Sequence, residues 1–438
     1  MKKLENCFVR LWDQDVGVLL WDSVSETARF QYTDEFIKSG LNISPLMLPL
    51  SNKVYQFTEL VARDDRSSFW GLPGIFSDSL PETYGNKLMK NWLESHHKEF
   101  KDLNPIERLC YVGKRGMGAL EFEPAEDFIS NSEYEVNVDQ MLEIARQILM
   151  ESNQEKHYID KNKNLMDQLI TIGTSAGGAK AKAVIATYKN EKGDFSKIFS
   201  GQAEPRSELD YWILKFSDTS NSEHLSDKDT GRLEYAYYLM AKACKIEMTN
   251  SLLLQDSKGV GHFMTKRFDR YDGQKIHMAT FCGIAHEDRN PVGMSSYEKL
   301  LKTCRDLLLP EERISQMYRR MVFNIMARNQ DDHTKNHSFL MFQDGTWDLS
   351  PAYDICFSYN KDSRFIALQQ MNCNNKRDNF TTEDLLSCAN VSNIDALEAK
   401  KIINDVKQVL LSWKEFANKA GLALAQADAI QSTFRMNI

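Results

Sequence analysis

The chain is poor in cysteine and shows no pattern in it: eight thiols in 438 residues, without a C-x-x-C pair or a Cys/His cluster at zinc spacing. That excludes a disulfide framework and a structural zinc site, and fits reduced, buried thiols in a cytoplasmic protein. Long apolar runs are missing too. The longest, such as Val16–Trp21, have strand length and cannot span a bilayer. Met1–Trp12 starts basic but lacks the apolar core of a signal peptide. Only 10 prolines and no repeat or low-complexity run are present, which excludes fibrous and disordered classes. A cationic excess is absent as well. The net charge of −8 argues against broad electrostatic binding to nucleic acid or anionic membrane, leaving room for a local basic patch or a basic protein partner.

What is there is a globular composition, 42% hydrophobic and 26% charged, in a chain too long for one ordinary core. Residues 7 to 33 predict short strands, as does Ser51–Phe57. A turn-rich stretch, Gly71–Glu82 (GLPGIFSDSLPE), precedes a predicted helix over 82–95. The Gly-punctuated segment 109–122 is expected to be strand. The composition turns acidic and polar at about 125–137, which places a boundary there. Helices are expected at 138–151, 162–171 and 229–245, and strands at 182–188, 211–216, 251–255 and 260–267. From 295 onward the pattern is mainly helical, with one hairpin at 337–350 and an amphipathic helical stretch at 394–434. A mixed α/β first half thus meets a mainly helical second half.

The chemistry concentrates at one junction. Ile314, Met317, Tyr318, Met321, Val322, Ile325 and Met326 recur at helical spacing and predict one buried stripe. The helix runs into Asn329-Gln-Asp-Asp-His-Thr-Lys-Asn336, too polar to continue an apolar face. Ser338–Phe342 and Trp347–Leu349 flank Asp344-Gly345, a strong hairpin signal. Folding that hairpin brings Asn336 and Asp354 together. Phosphoryl transfer needs a carboxylate to orient the attacking hydroxyl and oxygen ligands for a hard metal ion. Asp331 and Asn336 have the D-x-x-x-x-N spacing of a kinase base and metal ligand, and Asp354 follows the hairpin as the second ligand should. Alone, D-x-x-x-x-N is better explained as a helix-end cap with solvated neighbours; the hairpin and the second Asp reverse that weighting.

Supporting parts lie upstream. Lys215, alone among apolar neighbours in Tyr211–Phe216, needs an anion, and both nucleotide phosphate and Glu234 qualify; the alternative is a lysine reaching to a strand edge. Gly173–Lys182 (GTSAGGAKAK) is a Gly-rich loop, not a Walker A motif, because Ala179 stands where that lysine belongs and helix and strand flank it in reverse order. Its Ser175, Gly177, Gly178, Ala179 and Lys182 are candidates for lying over ATP. Gly261–Asp269 runs as a strand into polar residues, and the backbone of Lys266, Arg267 and Phe268 is a candidate adenine contact.

Together these segments resemble the HipA family of bacterial serine/threonine kinases, the toxins of HipBA-type toxin–antitoxin pairs, over nearly the whole chain. GLPGIFSDSLPE and RGMGALEFEPA are similar to its N-terminal subdomain, TSAGGAKAKA to its Gly-rich loop, WILKFS to its ATP-lysine strand and TKRFDR to its hinge. HMATFCGIAH, NQDDHTKNHSF and LSPAYD are similar to its C-lobe and catalytic motifs. The resemblance implies an α+β, bilobal protein-kinase-like fold with an extra β-rich N-terminal subdomain (1–130), an N-lobe (131–265) and a helical C-lobe (266–438). It makes Asp331 the catalytic base, Asn336 and Asp354 the Mg²⁺ ligands, and Lys215 the phosphate-binding lysine. His333 and Lys335 would line the site, and Ser175 would be autophosphorylated. ATP and Mg²⁺ are the implied cofactors. The implied partners are a HipB-like helix-turn-helix antitoxin, operator DNA reached mainly through it, and a protein substrate such as an aminoacyl-tRNA synthetase. One departure is Asp332, a second carboxylate beside the base that would compete for its role. Two other readings stay open: a kinase-fold enzyme acting on a small molecule, and a non-toxic binding member of the family.

Overall fold

Alternating apolar and polar residues build the first sheet. Asn6–Leu11 (β1), Gln14–Asp22 (β2), Thr27–Tyr32 (β3), Tyr55–Gln56 (β4) and Leu120–Glu123 (β5) pair antiparallel in the order β4-β3-β2-β1-β5. In β1, Cys7, Val9 and Leu11 face inward and their neighbours face out. The structure is a computed structural model that describes residues 4–64, 66–95, 99–125, 137–149, 177–178, 180–189, 197–202, 204–217 and 229–438. Asp34–Ser39 (α1), Gly74–Ser77 (α2), Thr83–Ser95 (α3) and Pro105–Val112 (α4) complete this region.

Helix α4 corrects the expectation of strand across 109–122, of which only β5 is extended. Asn104 accepts the Glu107 amide at 2.9 Å while the Glu107 carboxylate accepts the Asn104 amide at 2.8 Å, and Pro105 opens the first turn. A reciprocal cap and an N-terminal proline nucleate a helix that the nearby glycines had disguised. The Ser51–Phe57 strand shrinks to the two residues of β4. Val138–Leu149 (α5) matches the helix expected from 138, and the one expected at 162–171 lies outside the described residues.

The second sheet, again antiparallel, has the order β7-β6-β8-β10-β9, from Lys182–Tyr188 (β6), Ile198–Ser200 (β7), Leu209–Lys215 (β8), Ser251–Gln255 (β9) and Gly261–Lys266 (β10). Thr230–Ala243 (α6) packs on β9 and β10. Leu88, Met89 and Trp92 of α3 share a core with Ala183, Leu214 and Met264, so this helix serves the second sheet. The register sets Lys182 opposite Lys215.

Beyond the small hairpin Arg270–Tyr271 (β11) and Gln274–Lys275 (β12), His277–Thr280 (β13), Ser338–Met341 (β14) and Trp347–Leu349 (β15) form a third antiparallel sheet. It contains the expected hairpin and one strand more. Gly345 closes the turn at φ +83°, its amide donating to Phe342 at 2.9 Å. The helices are Phe281–Ala285 (α7), Tyr297–Asp306 (α8), Glu311–Met326 (α9), Thr382–Val391 (α10), Ala396–Leu411 (α11), Trp413–Lys419 (α12) and Leu424–Gln431 (α13). The apolar stripe of α9 is buried as expected, but so are Asn324 at its edge and Arg320 beyond it. Their hydrogen bonds, Arg320 to the Ser350 carbonyl at 2.7 Å and Asn324 to the Tyr297 hydroxyl at 3.2 Å, make that burial tolerable. No helix among the described residues is long and apolar enough to cross a membrane, and all eight cysteines are free.

Candidate functional site

Three elements deliver the site. Helix α9 ends at Met326 because the polar run after it cannot be buried as helix, and the chain turns through Asn329–Asn336 into β14. The hairpin returns it to Pro351–Asp354. Strand β8 brings Lys215 from the second sheet. Asn336 and Asp354 line one recess, together with Asn324, Asn329, Asp332 and His337. The Asn336 side-chain amide donates to the Asp331 carbonyl at 2.8 Å, which leaves its amide oxygen as a free ligand atom.

Lys215 joins the second sheet to this loop. Its ammonium contacts both the Glu234 carboxylate on α6 and the Asp354 carboxylate. Burial disfavours the ammonium, yet the two carboxylates outweigh it and hold Lys215 above an ordinary lysine. Burial alone would likewise raise Asp354. The cations Lys215 and Lys182 reverse this and keep it ionised, well below the usual carboxylate range. Asp354 also sits at φ +51°, a left-handed backbone conformation unusual for a non-glycine residue.

The two neighbouring carboxylates of the loop both accept from Gln370 but differ in exposure. Asp331 is half exposed and accepts the Gln370 side-chain amide at 2.5 Å. Asp332 is buried, and its oxygens accept Tyr297 Oη at 2.6 Å, the Gln370 amide at 2.8 Å and Gln369 Nε2 at 3.1 Å. Burial pushes its pKa up against those hydrogen bonds. Asp332 is thus held by three hydrogen bonds, and it lines the same recess as Asn336 and Asp354. Gln369 and Gln370 escaped the sequence reading, as did Arg435. The Arg435 guanidinium donates to Gln330 at 3.1 Å and Gln369 at 3.0 Å, clamping the loop from behind. No local pattern marks these three residues, because their partners are distant in sequence.

The other candidates divide. His333 Nε2 lies 4.0 Å from Asp331, and Lys335 is buried against Glu82 at 3.2 Å. Lys182, also buried, donates to the Gly177 carbonyl of the Gly-rich loop. Gly178 is described; Ser175 and Ala179 lie outside the described residues. The hinge candidates are largely committed elsewhere. The Lys266 and Arg267 amides donate to the Asn250 and Tyr211 carbonyls at 2.9 and 2.7 Å. The Lys266 ammonium pairs with Asp210 at 2.7 Å, and the buried Arg267 guanidinium with Asp269, also at 2.7 Å. Those amides and side chains cannot serve as adenine contacts without giving up these partners. The Phe268 ring does face the site, 5.7 Å from that of Tyr353. Beside the site, Asn374 and Lys376 bond Asp384, and Arg377 donates to the Gln369 carbonyl.

Two family models match the sequence that builds this arrangement. The HipA N-terminal domain covers residues 7–123, and the HipA-like C-terminal domain covers residues 174–413. The chain belongs to the HipA family. Among solved structures it is similar to the Shewanella oneidensis HipA of a complex with HipB and operator DNA. The likeness has a TM-score of 0.65 at 15% identity and covers 97% of this chain and 95% of that one. A Helicobacter pylori proinflammatory kinase, CtkA, aligns with 51% of this chain and 88% of its own at 14% identity, and its TM-score of 0.33 adds nothing to the fold assignment. No match arises among the curated proteins.

Proposed function

We propose that the chain is an ATP- and Mg²⁺-dependent serine/threonine kinase acting as the toxin of a HipBA-type pair. The observation that carries this reading is the junction of Lys215 with Glu234 and Asp354, set beside the Asp331–Asn336 loop. A strand lysine held by a helix carboxylate is how protein kinases aim a cation at the nucleotide phosphates. In this reading the second sheet with α6 is the nucleotide lobe, and the helical region after it is the second lobe, with bounds near 130 and 265. Lys215 orients the phosphates. Asp331, half exposed, accepts the proton of the attacking hydroxyl. The ionised Asp354 carboxylate and the Asn336 amide oxygen form an all-oxygen donor set that fits a hard cation. Bound there, Mg²⁺ supplies charge neutralisation for the phosphoryl group in transfer.

The protein hydroxyl accepted first is that of Ser175, in the loop beside Gly177 and Gly178. A phosphate dianion in a loop meant to hold phosphates would expel nucleotide, giving the enzyme an off-switch. The Shewanella relative is seen with HipB and operator DNA. By analogy this chain takes a helix-turn-helix antitoxin, meets DNA mainly through it, and acts in the cytoplasm on a translation protein such as an aminoacyl-tRNA synthetase. The test is incubation with Mg²⁺ and labelled ATP followed by mass spectrometry. Phosphate on Ser175 that vanishes in Asp331→Asn is the expected result. Turnover of a small alcohol without autophosphorylation would replace the protein-kinase reading with a small-molecule one, and no transfer at all would sink both.

A further inference from the structure

The stretch Gly74–Glu82 leaves the first sheet and ends inside the cleft. Its docking is tight. A Cβ on Gly74 would lie 2.4 Å from the Gly283 carbonyl oxygen, and one on Gly283 would lie 2.1 Å from the Asp78 carboxylate. Asp78 accepts the amide and hydroxyl of Thr280 at 2.7 and 2.8 Å. Those contacts suffice to hold the segment in place. Glu82, four residues on, does something else.

Its carboxylate lies 3.2 Å from the Lys335 ammonium and 3.5 Å from the Arg289 guanidinium, and accepts the Gly178 amide at 2.7 Å. The Gly178 carbonyl accepts the Tyr84 amide at 3.2 Å, so the N-terminal region holds this residue's backbone at both its amide and its carbonyl. Burial would raise the Glu82 pKa, but Lys335 and Arg289 outweigh it and keep the group ionised. One carboxylate from the N-terminal region thus grips a lysine of the catalytic loop and an amide of the Gly-rich loop.

We propose that Glu82 is a positioning residue of the phosphotransfer site, fixing the Lys335 ammonium and the Gly178 amide in one register, so that productive ATP binding depends on docking of the N-terminal region. This inference rests on the kinase reading. Glu82→Gln keeps the shape and an acceptor for Gly178 while removing the charge that holds Lys335. In steady-state assays with Mg²⁺ and ATP, Glu82→Gln lowers kcat by roughly 10- to 100-fold and raises KM for ATP. Since removing the charge leaves two partly buried cations without their carboxylate, the full-length protein is also assayed as Lys335→Met and as the double variant. If Glu82 acts through Lys335, adding Glu82→Gln to Lys335→Met changes kcat/KM by less than about twofold. A folding defect would instead act alike on both backgrounds, and additive losses overturn the proposal. So does an active wild type with Glu82→Gln unchanged, or a variant whose KM for ATP falls, which would make the carboxylate a competitor of phosphate. A wild type that transfers no phosphate from ATP overturns the kinase reading and this inference with it.

Discussion

The first and second sheets share strand number and antiparallel pairing, but they bury different things. The first encloses Val9, Leu11, Leu19 and Phe30 on its inner face, and its largely buried ion pair, Glu121 with Lys275 at 2.6 Å, lies at its edge strand β5. The second sets a buried Lys182 beside a partly buried Lys215 on adjacent strands. Two neighbouring ammonium groups away from water are unfavourable unless anions arrive, and Asp354 reaches them from beyond the third sheet. The first sheet's stability follows from its own alternation. The second sheet's stability and the site's geometry are one property.

The most forceful way to break this contrast is Lys215→Met. Phosphotransfer falls by about 10³-fold or more. Because Glu234 and Asp354 are left without their cation, stability measured by urea unfolding drops by about 3–5 kcal/mol. Activity that survives would separate site from sheet. In the first sheet, Phe30→Ala empties a fully buried position packed 4.8 Å from Tyr32 and 4.7 Å from Phe76, measured between ring centroids. A comparable stability loss of about 3–5 kcal/mol is expected, with KM for ATP unchanged as long as Gly74–Glu82 stays docked. A shifted KM would show that the loss at Phe76 reaches Glu82.

Acid sharpens the contrast at the seam between the first sheet and the rest. His286 accepts the Gly74 amide at 3.0 Å and His277 bonds the Ile43 carbonyl at 3.0 Å, and burial lowers each to about 4. Between pH 6.5 and 4 the unfolded chain takes up these protons and the folded chain does not. Stability therefore falls as pH falls through that window, by about 1 kcal/mol per pH unit per fully buried histidine. Urea midpoints that stay flat from pH 7 to 4.5 would refute this. The smallest effect is expected from Asn104→Ala, which removes one half of a capping box for about 1 kcal/mol. Its melting curve, with unchanged kinetics, places α4 on the structural side of the comparison.

Legibility tracked sequence distance. The stripe of α9, the Asp-Gly hairpin and the Lys215 strand were visible because each is set by residues within a turn or two of one another. Helix α4 was equally visible and was misread: Asn104-Pro105-Ile106-Glu107 is a helix start, and the glycines after it drew attention away. The orientation of Asp332 was not readable, because its partners Tyr297, Gln369 and Gln370 are 35 to 38 residues away. Glu82 lay beyond reach for the same reason, since nothing near Pro81-Glu82 announces a cation 253 positions on, at Lys335.

Arg435 gives the loop clamp a consequence in time. It lies 105 residues downstream of Gln330. At ordinary rates of synthesis a ribosome makes Asp331 roughly 5 to 20 s before it makes the arginine that braces the loop from behind. For that interval the nascent chain carries the Asp331 carboxylate on a loop without its final support. The loop thus stays unbraced until residue 435 has been made, and the order of translation itself sets when it takes its final shape.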